Sequence, residues 1–166
     1  MASEVNRLGI VGTGVMGAGI AQIAAQAGLE VHLFDKREGA ASAARDGLQA
    51  TFDKLVNKGK VSRASADAAL SRLKVVNAMA ELADCDVVVE AIIEDLSVKQ
   101  NLFTELEAIV SEGCILATNT SSLSVTAIAS VLKLPGRVAG FHFFNPVPLM
   151  KVVEVIGGTD TEASVL

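Results

Sequence analysis

The sequence predicts an α/β fold, a doubly wound and mostly parallel sheet with helices on both faces, and three observations carry that expectation. The apolar run Leu8-Gly9-Ile10-Val11 enters the turn Gly12-Thr13-Gly14-Val15-Met16-Gly17 and leaves it at helical spacing through Ile20, Ile23, Ala24 and Ala27. A second run, Glu30-Val31-His32-Leu33-Phe34, ends in an acid, Asp35. Beyond it, β-branched and apolar runs alternate with helix-length amphipathic stretches, the pattern of parallel strands joined by helical crossovers.

Bulk properties narrow the class. At 166 residues, 51% hydrophobic and 20% charged, the chain is long enough for one domain with a core, and residues 1–166 are read as that domain. A formal net charge of −5, with no Lys/Arg cluster interleaved with aromatics, argues against nucleic acid. Leu8 to Leu29 carries no charge and by length alone resembles a membrane span. Its glycines, Thr13, Gln22 and Gln26 instead divide it into strand, turn and helix, and it lacks a small-residue cleavage pattern. No membrane segment is expected, and the chain is placed in a cytoplasm. Cys85 and Cys114 have no metal-ligand spacing, so both are read as reduced core residues and no metal site is expected.

Taken in order, the glycine turn comes first. Gly12 can adopt the backbone angles of a tight turn, Gly14 leaves room where a pyrophosphate would sit, and Gly17 lets the helix lie close on its strand. The unpaired N–H groups at that helix start, around Val15 and Met16, face an anion. Asp35, roughly 20 residues beyond the turn, suits a ribose 2′-hydroxyl and repels a 2′-phosphate, so NAD is favoured over NADP. This is the signature of a Rossmann-type nucleotide fold.

The first crossover is long. Glu38 to Leu55 places Ala40, Ala44, Leu48, Thr51, Phe52 and Leu55 on one helical face, and Ser62 is expected to cap a second helix through Ala66, Ala69 and Leu70 before a short strand at Leu73–Val76. Asp86 to Ala91 reads as a buried parallel strand, and Asp95 to Val110 as an amphipathic helix through Leu96, Lys99, Phe103 and Leu106, within which Asp95 and Lys99 can pair across one turn. Cys114 to Ala117 is the next strand, followed by the polar string Thr118 to Ser122 and a helix over Val125 to Val131 that Ser121 or Ser122 can cap. Arg137 to Phe141 and Lys151 to Ile156 complete the strands, and Thr159 or Thr161 is a candidate cap for a following helix. Ligands of such sheets bind beyond the strands' carboxyl ends, which gathers the glycine turn, Asp35, Ile92 to Asp95, Asn119 to Ser122 and His142 to Asn145 along one edge. There His142 needs a carboxylate to hold one tautomer if it is to take a proton from an alcohol, and Glu154 in the next strand can run back past it. A satisfied core histidine and a solvent-facing glutamate are the plainer alternatives.

Four motifs, Gly12 to Ala21, Val89-Glu90-Ala91-Ile92-Ile93-Glu94, Thr118-Asn119-Thr120-Ser121-Ser122-Leu123 and Gly140 to Met150, together resemble the NAD-binding domain of 3-hydroxyacyl-CoA dehydrogenases. The segment Asn57 to Arg72 is most similar to the bacterial 3-hydroxybutyryl-CoA and 3-hydroxyadipyl-CoA branch. The resemblance implies NAD-dependent oxidation of an L-3-hydroxyacyl-CoA to the 3-ketoacyl-CoA. It implies His142 as the base, Glu154 as the acid that orients it, and Ser121 as a hydrogen-bond partner of the substrate oxygen near the nicotinamide. It further implies Glu94, Lys99 and Asn145 as NAD contacts, and Lys58 and Thr51 as residues that hold coenzyme A. The family continues into a helical domain that closes the cleft and forms a homodimer. By this resemblance the chain is expected to be truncated before that domain and poorly active without it. Two alternatives stand beside this reading: a non-catalytic NAD-binding or structural protein of the same fold, and a dehydrogenase of free 3-hydroxy acids.

Overall fold

In the computed structural model, which describes residues 4–166, the first apolar run forms β1 (Arg7–Val11) and the glycine turn releases α1 (Val15–Gln26). There follow β2 (Glu30–Phe34), α2 (Ala40–Asn57), α3 (Arg63–Arg72), β3 (Leu73–Val75), β4 (Val87–Glu90), α4 (Leu96–Ile109), β5 (Ile115–Thr118), α5 (Val125–Ala129), β6 (Val138–Phe143) and β7 (Val153–Gly157). The strands form one seven-stranded sheet in the order β3-β2-β1-β4-β5-β6-β7. Every pairing is parallel except that of β7, which runs antiparallel to β6. This is the doubly wound Rossmann arrangement, with its switch point between β1 and β4.

Side chains alternate across the sheet and build a core on each face. Leu8, Ile10, Leu33 and Val89 pack with Ile20, Leu48, Phe52 and Leu70 from α1, α2 and α3. Val11, Val88, Leu116 and Val138 pack on the other face with Phe103 and Leu106 of α4 and Ile128 of α5. Cys85 and Cys114 are both free, and burial pushes their thiols up to about 12 and about 11, as inert core residues. No helix among the described residues is long and apolar enough to cross a membrane.

Several boundaries differ from the sequence reading, each for a local reason. Leu48 and Phe52 of α2 are buried as expected, and Ala41 joins them in place of Ala40 and Ala44, because steps of four and then seven back from Phe52 keep one line toward the sheet. Thr51 turns its hydroxyl back to the Gly47 carbonyl at 3.0 Å. Ser62 caps α3 as expected, accepting from Ser65 N at 3.1 Å. The cap of α5, however, is Ser124, which accepts from Ala127 N, so neither Ser121 nor Ser122 has that role. A 3₁₀ turn over Met79–Leu82 was not anticipated; the Glu81 carboxylate stabilises its start by accepting from Asn77 N and Ala78 N. β7 begins at Val153, not Lys151, since the β6 ladder ends where Phe143 opposes Val153. Neither Thr159 nor Thr161 caps a helix: Thr161 donates to Val138 O at 2.6 Å and accepts from Gly158 N at 2.8 Å, closing a turn.

Phe52 has no exposed surface, so Phe52→Ala should cost about 3–5 kcal/mol, read as a lower urea midpoint at an unchanged m-value. A loss below about 1 kcal/mol would show that the α2 stripe is not part of the core.

Candidate functional site

Each glycine of the first turn has its own steric reason. Gly12 sits at φ 95°, and a Cβ there would lie 2.5 Å from the Ala91 carbonyl oxygen. A Cβ on Gly17 would lie 1.8 Å from Gly12 O, so α1 can approach β1 only without that side chain. A Cβ on Gly14 would meet nothing within 4 Å, which leaves the mouth of the turn open. Gly14 is also the N-cap of α1 and offers no side chain to its first N–H groups, and the first turn carries no acid. That is a cradle for a phosphate group built from backbone.

Asp35 stands at the end of β2 across from this turn. Its Oδ2 accepts from Thr13 N and Thr13 Oγ1, both at 2.9 Å, and from Arg37 Nη2 at 3.0 Å. Its Oδ1 accepts from Arg37 N at 2.9 Å and Arg37 Nε at 3.1 Å. Burial pushes this carboxyl up, but the Arg37 and Thr13 hydrogen bonds outweigh it and hold it well below the usual range, so it is ionised. A cavity of about 550 Å³ runs from Gly12 and Gly14 past Asp35 to Met79 and Ile92.

A second cavity, of about 350 Å³, shares Ala91 and Ile92 with the first and is lined also by Met16, Asn119, Ser121, His142 and Asn145. The two therefore adjoin over the end of β4, at the switch point. His142 and Glu154 are direct partners in the antiparallel β6–β7 ladder, which sets His142 Nδ1 3.0 Å from Glu154 Oε2. Nε2 has no hydrogen-bond partner among the described residues, and the Phe144 ring lies 4.6 Å from the imidazole between centroids. Asn119 Oδ1 accepts from Phe143 N at 2.9 Å and ties the end of β5 to the strand that carries His142. His142 is half-buried, while Glu154 keeps about half of its side-chain surface exposed (53%) as it pairs with the imidazole.

A residue that the sequence reading quoted without a role holds this edge together. Glu90, the last residue of β4, is fully buried, and its Oε2 lies 2.5 Å from Lys99 Nζ, equally buried on α4. The same carboxylate accepts from Thr118 Oγ1 at 2.6 Å and from Ile92 N at 2.9 Å. Lys99 Nζ is also 3.4 Å from Glu94 Oε2. Glu94 Oε1 in turn accepts from the Thr120 hydroxyl and from Ser121 N and Ser122 N at 3.3 and 3.4 Å. Burial pushes the Glu94 carboxyl up, but the Thr120 hydroxyl and the Lys99 charge lead the effects that hold it below its ordinary value. Lys99 thus turns inward and does not pair with Asp95, whose Oδ1 instead caps α4 by accepting from Val98 N at 3.0 Å. The signal was present in sequence: a carboxylate closing a β-branched strand, with a lysine on the inner stripe of the next helix.

The remaining expected residues divide. Asn145 and Thr51 line a third cavity, about 460 Å³, with Gly14 and Val15. Lys58, the C-cap of α2, is exposed and lines none of these cavities.

Comparison with known proteins follows the same lines. Residues 7–166 match the family described as 3-hydroxyacyl-CoA dehydrogenase, NAD binding domain. The chain belongs to this family. Its cofactor is NAD, and the open Gly14 mouth, the uncapped start of α1 and the Asp35 carboxylate fit a dinucleotide. Over 166 residues it is 44% identical to the 3-hydroxyadipyl-CoA dehydrogenase of Escherichia coli, covering all of this chain and 35% of that protein. It is 40% identical over 157 residues to a 3-hydroxybutyryl-CoA dehydrogenase of Mycobacterium tuberculosis, covering 94% of this chain and 55% of the other. Among solved structures, a 3-hydroxybutyryl-CoA dehydrogenase from Escherichia coli superposes with a TM-score of 0.96 at 44% identity, over 98% of this chain and 34% of that one. The chain thus spans between about a third and just over half the length of these relatives.

Removing one member of a buried ion pair leaves the other uncompensated. Lys99→Met should therefore cost about 3–5 kcal/mol in urea unfolding, and the double variant Glu90→Gln/Lys99→Met clearly less than Lys99→Met alone. Strict additivity of the two single variants would show that the pair is not coupled.

Proposed function

We propose that this domain serves the reversible, NAD-dependent oxidation of an L-3-hydroxyacyl-CoA to the 3-ketoacyl-CoA. The observation that carries the reading is the His142–Glu154 pair, 3.0 Å apart, whose imidazole lines one cavity with Ser121 beside the glycine-turn cleft. NAD, when bound, supplies the acceptor for the hydride that leaves C3. The chain's own groups handle the proton. Glu154 accepts a hydrogen bond from His142 Nδ1–H, which leaves Nε2 unprotonated and aimed to take the 3-hydroxyl proton. The same carboxylate then stabilises the imidazolium. The Ser121 hydroxyl, free of any capping role, donates to the substrate oxygen and holds it near His142.

On the cofactor side, Gly12, Gly14, Val15, Met16 and Gly17 form the phosphate cradle, Asp35 takes the ribose, and Glu94 and Asn145 border the nicotinamide end. Lys99, with no exposed surface, acts through Glu94. Thr51 and Lys58 on α2 are assigned to the coenzyme A portion, Thr51 with the better support because it lines a cavity continuous with Gly14. Exposed Val153, Val155 and Ile156 on β7, with Leu149 and Val152 in the segment before it, support a covering helical segment through which a full-length enzyme forms its homodimer. The buried free cysteines suit a reducing cytoplasm.

Oxidation of NADH by the full-length protein with acetoacetyl-CoA, and none with free acetoacetate, is the expected outcome; the reverse preference would move the substrate class to free acids. His142→Gln should lower kcat by about 10²–10⁴-fold, the usual worth of a general base, while NADH affinity measured by fluorescence stays within about threefold. A kcat within about tenfold of the native value would place the base elsewhere.

A further inference from the structure

The sheet face that carries α4 holds a second polar cluster, away from the strands' carboxyl ends. Gly9, His32 and Lys74 are register partners across β1, β2 and β3 and so share that face. The 3₁₀ turn Met79–Leu82 lies over it, since a Cβ on Gly9 would be 3.2 Å from Leu82 Cδ2 and 3.2 Å from Cys85 Sγ. There the His32 side chain is only 13% exposed, and both of its ring nitrogens are engaged. Nε2 lies 2.8 Å from Glu30 Oε1, and Nδ1 lies 3.3 Å from the Glu81 carbonyl oxygen.

Both partners are acceptors. A neutral imidazole has one N–H and can satisfy one of them, whereas an imidazolium satisfies both. The charges around the ring come from every neighbouring element. Glu30 on the same strand also accepts from Arg7 Nε of β1 at 2.9 Å and Lys74 Nζ of β3 at 3.1 Å. The hydrogen bonds from His32 and Lys74 hold its carboxyl down to about 2, so Nε2 faces a full negative charge. Glu81 on the turn keeps its carboxylate on Asn77 N and Ala78 N, Asp84 stands 3.9 Å from Arg7 Nη1, and Asp86 accepts from Asn6 N and Arg7 N. The Cys85 thiol, pushed up to about 12 by burial, stays neutral.

The turn that His32 grips is also a wall of the nucleotide cleft. Met79 borders the cavity of about 550 Å³ together with Phe34, two residues beyond His32, and Leu102. Among the described residues, the His32 bond to the Glu81 carbonyl is the only hydrogen bond between Met79–Leu82 and a strand.

Resting on the dinucleotide reading above, we infer that His32 is a proton-operated latch on this cleft. As imidazolium it ties the turn to β2 and holds Met79 in place. When the proton leaves, the ring keeps its one N–H on the Glu30 carboxylate, the stronger acceptor, and Nδ1 turns a lone pair toward the Glu81 carbonyl. The tie becomes a repulsion, the turn is released and dinucleotide affinity falls. Affinity is therefore highest at acid pH and declines as pH rises through about 5 to 8, the span in which imidazole groups change charge. His32 lines neither of the two adjoining cavities, so the latch acts on binding and is separate from the proton transfer at His142.

The chain has two histidines, so His142→Gln leaves His32 as its one imidazole. In fluorescence titration, the NADH Kd of that variant should rise about threefold to tenfold between about pH 6 and about pH 8.5, the worth of one hydrogen bond. In His32→Gln/His142→Gln it should stay within about twofold. Imidazole nitrogen NMR on the native chain reads the latch directly: both His32 nitrogens should carry protons at about pH 6, and Nε2 alone at about pH 8.5. That measurement keeps the inference testable even if His32→Gln fails to fold. A single protonated nitrogen on His32 at about pH 6, or a pH response of Kd that is absent from His142→Gln or survives unchanged in the double variant, overturns this inference alone. Absence of NADH binding by the native chain at any pH overturns the functional reading and this one with it.

Discussion

The buried contact between Glu90 and Lys99 is the constraint on which the ligand-facing edge of this domain depends. Two charges with no exposed surface are tolerable only when each is paired and the spare lone pairs are answered, and here Thr118 and Ile92 complete the set around Glu90. The result is a clamp across three elements: the end of β4, the end of β5 and the inner face of α4. Because Lys99 also reaches Glu94, the clamp extends to the backbone of Ser121 and Ser122. A loop of small hydroxyl residues, which on its own would sample many conformations, is thereby pinned beside the cavity that His142 lines. Preorganisation of that kind is what the proposed proton and hydride transfer requires.

The sheet order explains why the two cavities meet. Parallel strands β1, β4, β5 and β6 all deliver their carboxyl ends to one edge, so the glycine turn, Ile92, Ser121 and His142 collect there although they are far apart in sequence. The single antiparallel pairing is the departure, and it has a chemical consequence. Running β7 back along β6 sets Glu154 directly opposite His142, within hydrogen-bond distance. A parallel β7 would have required a crossover and would not have produced this register.

Much of this was legible in the chain itself. The glycine turn announces itself because each glycine is demanded by a distinct steric condition, and the strands do so because buried parallel strands are almost uniformly apolar. Asp35 was legible as an acid closing the second strand. What escaped were features whose cause lies in another part of the molecule. For Lys99, sequence spacing displayed only Asp95 as a side-chain partner, one helical turn away. Its real partner sits on a strand, and the cap of α4 claimed Asp95 first. On α2, Leu48 and Phe52 were placed correctly, and only the first turn differs, where Ala41 is buried in place of Ala40 and Ala44.

By itself, then, the sequence determined the fold class, the position of the nucleotide turn and the residue types available for chemistry, because these rest on local sterics and on short periodicities of apolar residues. Tertiary structure alone decided that Glu90 faces Lys99 and Glu94 faces Ser121, and it set the register that brings His142 and Glu154 within hydrogen-bond distance. Those pairings are long-range, and their energies come from burial and strand register, neither of which exists until the sheet has closed.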